Sequence, residues 1–289
     1  MIAMKKVTIV STLLIFCFNS FAQIKVVENA IIKVKTEMTF PENFNPGRGS
    51  APGDGGGFSM PRDMETNSTM YYTPNYMKVE STSDFGNNIV ITDRVNKKTT
   101  TLIEAMGRKT GFFSSDAEDQ ASKAKMDSLR NLRRDSLMAL GITFKESKPE
   151  ITYVDETRKI AGYNCKKAII KSKGQNGEIN ESVVWYNPDF KISATSTAAG
   201  NTQGFGGGRG RMMMGGIQGL EQIEGFPMEY EITRNNGFTI HMTVLKVQTD
   251  VAIDEKTFEI PKGYDLKPMS NLQGGNGEGM RMIFRSSNN

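Results

Sequence analysis

The sequence predicts a mainly β protein: one antiparallel meander covered on a single face, with one long amphipathic helix on its concave side. Three observations carry this. Apolar and polar residues alternate with a period of two through most of the chain. Short turns bearing Asn and Gly separate these runs. A single stretch, Asp116 to Leu140, places its apolar residues at helical spacing instead.

The chain opens on an export address. Lys5 and Lys6 precede an apolar run from Val7 to Phe18, and Ser20-Phe21-Ala22 offers small residues where a signal peptidase cuts. Cleavage is expected after Ala22, giving a periplasmic or outer-membrane-associated protein. The run is shorter than the roughly 20 residues that a membrane-spanning helix needs. Cys17 leaves with this segment, so Cys165 remains alone and no internal disulfide forms. It reads as a small buried hydrophobe. The formal charge of +4 includes Lys5 and Lys6. The mature chain is therefore close to neutral, which gives no electrostatic case for nucleic acid.

The first strand signal is Ala30 to Met38, where Ala30, Ile32, Val34, Thr36 and Met38 share one parity. A glycine-rich insert follows, read over residues 41–64. Met77 and Val79 alternate with Lys78 and Glu80, and Ile89 to Ile91 and Thr99 to Met106 form a hairpin around Asn96-Lys97-Lys98. Ser114 or Ser115 caps the helix, with Asp116, Glu118 and Asp119 at its positive end and Gly141 after its last turn. Met126, Leu129, Leu137 and Leu140 form a narrow stripe with Arg133 in its middle. Such a helix beside a half-apolar sheet is expected on the concave face.

Ile151 to Val154 begins the second series. Ala168 to Ile170 and Ser182 to Tyr186 flank an Asn176-Gly177 turn. A second glycine-rich insert, 198–219, contains Met212-Met213-Met214. Met228, Tyr230 and Ile232 alternate with acids, and Asn235-Asn236-Gly237 turns the chain into Phe238, Ile240, Met242 and Val244. Thr257 to Ile260 is read as the closing strand, and 269–289 as a polar, disordered tail.

Catalytic material is sparse. His241 is the one histidine of the sequence, so a zinc site needing a second imidazole cannot be built, and on the less apolar parity of its strand it reads as a structural strand residue rather than as the base of a Ser-His-Asp relay. Gly204 to Gly210 lacks the G-x-G-x-x-G pattern and its strand–turn–helix context. The 18 methionines offer two uses. Met212-Met213-Met214 forms a soft-ligand set suited to Cu(I), whereas Met38, Met77, Met228 and Met242 lie on the apolar parity of their strands and suit packing or varied lipid chains. No cofactor is expected.

Four blocks carry a family resemblance: Ile160-Ala161-Gly162-Tyr163-Asn164-Cys165, Val184-Trp185-Tyr186-Asn187-Pro188-Asp189, Gly225-Phe226-Pro227-Met228-Glu229-Tyr230 and Phe258-Glu259-Ile260-Pro261-Lys262-Gly263-Tyr264. Their order and wording resemble the domain of unknown function 4412 family, grouped with the LolA/LolB lipoprotein-carrier superfamily. The Gly225-Phe226-Pro227 block is also similar to the GLPGLI family of exported proteins. The resemblance implies an incomplete, curved antiparallel barrel with a helix across its mouth, holding acyl chains of lipid or lipoprotein and no catalytic residues.

The expected function is thus a non-catalytic envelope protein that binds an apolar ligand. Trp185, Tyr230, Ile232, Ile240 and Met242 are expected to line or fill the barrel, with Arg133 at its mouth for an anionic group. The competing readings are a partner-binding envelope protein whose barrel is filled by its own side chains, and Cu(I) sequestration by the methionine-rich loop.

Overall fold

The computed structural model describes residues 24–41, 62–105, 107–140, 148–173, 179–193, 217, 219–234 and 237–269. The export address, most of both glycine-rich inserts with Met212-Met213-Met214, and the tail beyond Met269 lie outside the described residues. Among these, the strands in chain order are β1 (Lys25–Val27), β2 (Ala30–Thr39), β3 (Asp63–Tyr72), β4 (Tyr76–Ser83), β5 (Gly86–Asp93), β6 (Lys98–Ala105) and β7 (Arg108–Ser115). The helix α1 (Asp116–Ala139) follows, then β8 (Glu150–Ile160), β9 (Tyr163–Lys173), β10 (Ile179–Asn187), β11 (Phe190–Ile192), β12 (Phe226–Thr233), β13 (Thr239–Thr249) and β14 (Asp265–Pro268). Asp63 and Met64, read from sequence as the end of the first insert, are strand residues.

Twelve of these strands form one sheet in the order β14-β7-β6-β5-β4-β3-β2-β13-β12-β10-β9-β8. Two antiparallel meanders, β2 to β7 and β8 to β13, are joined where β13 pairs with β2. The pairing is antiparallel throughout except for β14, which runs parallel to β7. The end strands β14 and β8 do not pair with one another, so the sheet is open and not closed into a barrel. Edge strand β8 carries Glu150, Asp155, Glu156, Arg158 and Lys159 and a bulge between Val154 and Thr157. Both devices discourage edge-to-edge association.

The tight turns follow from sequence. Ala161 and Gly162 hold φ of 50° and 87°, the two positive values of a primed hairpin turn that matches strand twist. Between β5 and β6, Asp93 accepts hydrogen bonds from the Asn96 backbone N–H at 2.8 Å and its side-chain amide at 2.7 Å, while Lys97 takes φ 50°.

Register assigns the side chains to two faces. On the inner face Ile232, Ile240, Met38 and Met64 stand abreast, and Val184, Tyr230, Met242 and Thr36 form the next row. Further rows are Val244, Val34, Ser68, Ser81, Asn88 and Ile103, and then Val247, Ile32, Met70, Val79, Val90 and Thr101. The main core lies over these last rows. The parallel two-stranded ribbon of β1 and β11 contributes Val27, Phe190 and Ile192 to one cluster with Ile32, Val34, Met70, Val79 and Val244.

The opposite face is covered in part by the segment between β13 and β14. Phe258 stacks on Tyr76 at 5.1 Å and packs with Ile91 and Leu102. The buried Lys78 donates to the Thr257 carbonyl at 2.8 Å and pairs with Glu80 at 2.7 Å. Residues Glu255–Phe258 form a 3-10 turn rather than the expected strand. Asp254 caps it by accepting from the Lys256 N–H at 2.9 Å, and Phe258 is its buried apolar residue.

Helix α1 starts where its sequence dictates. Ser115 accepts from the Glu118 N–H at 3.2 Å, and Glu118 reaches back to the Ser115 N–H at 2.8 Å, a reciprocal capping box. Its 24 residues, about 36 Å of helix, follow β7 near one side of the sheet and precede β8 at the other edge. The expected burial of its apolar stripe is not seen. None of its residues is buried, Met126, Leu129, Leu132, Met138 and Leu140 are exposed, and its sheet contact is with β7. Arg130, Arg133 and Arg134 crowd the stripe, and setting it on an apolar face would strip water from their guanidinium groups.

Candidate functional site

Four of the predicted site residues come together on the inner face. Tyr230 pairs with Met242 and Ile232 with Ile240 across β12 and β13. Both strands place these residues on one parity, leaving Glu229, Glu231 and His241 on the other. Ile232 and Ile240 pack with Met38, Phe40 and Phe238, the two phenylalanine rings lying 5.2 Å apart. Met242 belongs to the main core. Tyr230 touches three apolar clusters and joins them. Burial pushes its phenol up to about 12.

This face is already occupied by the chain itself. Ile217, Leu220 and Ile223 pack over Ala168, Ile170, Val184 and Tyr186, with Tyr230 alongside. Ile217 and Gly219, read from sequence as the end of the second insert, are therefore part of the packed interior. The short 3-10 turn Leu220–Gln222 presents them.

Sequence reasoning missed the polar members of the inner face. Thr36 is 2 % exposed, and its hydroxyl has no hydrogen-bond partner among the described residues. The Asn88 and Thr92 side-chain oxygens share that condition; Thr36 and Asn88 belong to inner-face rows, and Thr92, which pairs with Met77, shares the parity of Asn88 and Val90 on β5. Ser68 and Ser81 pair at 2.9 Å between Thr36 and Asn88. The available signal was parity: Thr36 sits among Ile32, Val34 and Met38, where a polar oxygen must find a partner or stay unpaired.

Trp185 is not with the others. Val184 is fully buried on the inner face, so the next residue points the opposite way, and Trp185 pairs with Glu229 and Lys167 instead. The Arg158 guanidinium lies 4.3 Å over its ring, and the indole also packs against the main core. Arg158 meets Glu229 at 2.6 Å. From Glu229 a polar chain crosses the outer face. His241 lies 3.1 Å from Glu229 and 3.5 Å from Glu37, and Lys35 lies 2.9 Å from both Glu37 and Glu65. Hydrogen bonds from Lys35 hold the Glu37 and Glu65 carboxyls below the usual range. Arg133 is exposed on α1, whereas Ile232, Ile240 and Met242 are buried.

Cys165 is buried, and burial pushes its thiol up to about 11, the opposite of an activated nucleophile. Among the described residues no group of three or more His, Cys, Asp and Glu is placed to hold a metal ion. No described helix is long and apolar enough to cross a membrane.

The four sequence blocks acquire structural roles. The Asn187 amide donates to the Asn164 carbonyl at 3.0 Å and its oxygen accepts from the Asp189 N–H at 3.0 Å. Phe190 stacks on Phe226 at 5.3 Å and meets Tyr163 at 5.5 Å. Three blocks thus knit one end of the sheet, and the fourth carries the Phe258 anchor on the outer face.

Fold and site together define an open, mainly antiparallel half-barrel whose inner face is apolar with embedded hydroxyls. Residues 58–264 match the family described as Domain of unknown function (DUF4412), and the chain belongs to that family. No curated protein matches the sequence. Among solved structures the chain is similar to PNGF-II, with 14% identity, a TM-score of 0.34, and coverage of 88% of this chain and 33% of that one. It is similar to the MucA/MucB complex of Pseudomonas aeruginosa, with 9% identity, a TM-score of 0.33, and coverage of 80% and 56%. It is similar to a putative outer membrane lipoprotein-sorting protein domain from Vibrio parahaemolyticus, with 8% identity, a TM-score of 0.19, and coverage of 80% and 89%. The chain thus spans about a third of PNGF-II and little more than half of MucB.

Proposed function

We propose that this is an exported, non-catalytic envelope protein that takes an apolar ligand, a lipid or the acyl chain of a lipoprotein, on the inner face of its half-barrel. One observation carries the reading. Across β12, β13 and β2 to β6 the inner-face rows through Val244, Val247, Tyr230 and Ile232 contain no Lys, Arg, Asp or Glu, while the opposite face holds the Arg158, Glu229, His241, Glu37, Lys35 and Glu65 chain. A sheet needs one apolar face to fold, but this one extends over strands on both sides of the β13–β2 junction. Access to Tyr230 requires the segment bearing Ile217, Leu220 and Ile223 to swing outward.

That same segment favours a second reading, a partner-binding envelope protein whose interior is filled by its own side chains. Native mass spectrometry of protein purified from its own envelope separates the two. A retained lipid mass supports the carrier. Protein at its bare sequence mass, with no alkyl ligand taken up on addition, overturns the carrier and leaves the filled scaffold.

A further inference from the structure

We infer that the ligand class is an uncharged amphiphile, whose neutral hydroxyl, ester or amide group is held on a polar track crossing the inner face from Thr36 to Asn88. The inference rests on the carrier reading and specifies which ligands that face accepts. Thr36 pairs with Thr66, and in the adjacent row Ser68, Ser81 and Asn88 follow one another across β3 to β5, Thr66 and Ser68 standing two residues apart on β3. Three strand spacings and a two-residue step along the strand separate the ends of the track, about 16 Å in all.

Two features give the track its chemistry. It is polar without being charged, so an anionic or cationic headgroup placed on it would lose its water and find no counter-ion. Its ends are also unfinished. The Thr36 hydroxyl and the Asn88 amide oxygen are buried without a hydrogen-bond partner among the described residues, and Thr36 is 2 % exposed. The Ser68 and Ser81 hydroxyls satisfy one another in the middle and keep further lone pairs for a donor. Apolar rows flank the track, with Met38 and Met64 beyond Thr36 on one side, and Ile32, Met70 and Val79 beyond Ser68 and Ser81 on the other. An alkyl chain seated on either row brings a neutral polar group within reach of these oxygens. A donor such as a glyceride hydroxyl satisfies Thr36 or Asn88 directly.

The test compares two probes with the same chains: dioctanoylglycerol, which is neutral, and dioctanoyl phosphatidate, which is anionic. Binding to the mature full-length protein is followed by calorimetry below the micelle concentration of each probe. The neutral probe is expected to bind at least tenfold more tightly. Thr36→Val, which keeps the shape and removes the hydroxyl, is expected to weaken the neutral probe about tenfold, equivalent to about 1.4 kcal/mol, without lowering the melting temperature. Asn88→Ala serves as the second variant if Thr36→Val fails to fold. Equal affinity for both probes, or an unchanged affinity in Thr36→Val accompanied by higher stability, overturns the track and leaves the carrier standing. Binding of neither probe overturns both.

Discussion

The guanidinium of Arg158 sits 4.3 Å over the Trp185 ring and 2.6 Å from the Glu229 carboxylate. Trp185 thereby gains a cation on its face, and Arg158 gains an anion that fixes its plane. Since Trp185 is the one tryptophan of the sequence, its fluorescence reports this contact directly. Arg158→Ala is expected to lower stability by about 1 kcal/mol, the scale of a partly exposed cation–π contact with a modest ion pair. Acrylamide quenching should rise in parallel. Quenching identical to that of the unaltered protein would show that Arg158 does not cover the ring.

Gly225 has φ 153°, and a Cβ there would collide with the Asn187 carbonyl. Both problems are backbone problems, so no side-chain rotation relieves them. Gly225→Ala is expected to cost about 3 kcal/mol or more, combining strain at a glycine-favouring dihedral with displacement of the buried Asn187 turn. Urea unfolding measures it. A loss below about 1 kcal/mol would mean that the corner between β10 and β12 relaxes freely.

Much of this architecture is legible in the chain because a strand pairs its parity with its environment at every step. Ala30 to Met38 and Met228 to Ile232 declare their buried faces outright, and the Ser115-Glu118 cap marks the helix start. Where the signal is a single residue, reading fails. Thr257 to Ile260 has strand-like composition, yet the Asp254 cap tightens its start into a turn. Val183, Val184 and Trp185 are all suited to burial, so composition alone does not say which faces inward; pairing with Tyr230 assigns that place to Val184. The helix stripe reads as core-facing because periodicity records amphipathicity and carries no information about the partner. Ile217 is hidden at the end of a glycine-rich run, and its burial depends on contacts with Ile170 and its neighbours that no local pattern encodes. The hydroxyl track is visible only after register places Thr36, Ser68 and Ser81 in adjacent rows.

Alkaline pH should weaken the fold in a defined window. Burial raises the Tyr72 and Tyr230 phenols to about 12 from an ordinary value of 10.0 and the Cys165 thiol to about 11 from 9.0. The folded state therefore holds these protons more tightly than the unfolded chain. Their stabilising contribution is complete below about pH 9, begins to fall as the unfolded-state groups ionise, and is lost as pH passes the folded values. The urea midpoint is expected to drop steadily between pH 9 and pH 12, and Tyr72→Phe with Tyr230→Phe should flatten that slope. At pH 8 native Cys165 should react with iodoacetamide about two orders of magnitude more slowly than in denaturant. Equal rates would place the thiol at the surface.

Ile223 separates the two functional readings at one position. It is 2 % exposed and packs with Ala168, Ile170, Val184 and Tyr186 beside Tyr230. Ile223→Ala removes packing from the segment that covers the inner face and leaves the sheet itself untouched. The expected cost is about 2–4 kcal/mol, depending on how far the site collapses. If the face takes an apolar ligand, loosening its cover should raise the uptake rate of an alkyl-sensitive dye such as N-phenylnaphthylamine. A longer alkyl chain, competing for the same rows, should then displace the dye. If the interior is a filled core, the variant should lose stability with no gain in dye binding below its unfolding midpoint. The comparison is made at a urea concentration where both proteins remain folded, so that dye bound to unfolded chain does not enter. A rise in uptake that the competing alkyl chain reverses assigns the inner face to the ligand, and a fall in stability alone assigns it to the core.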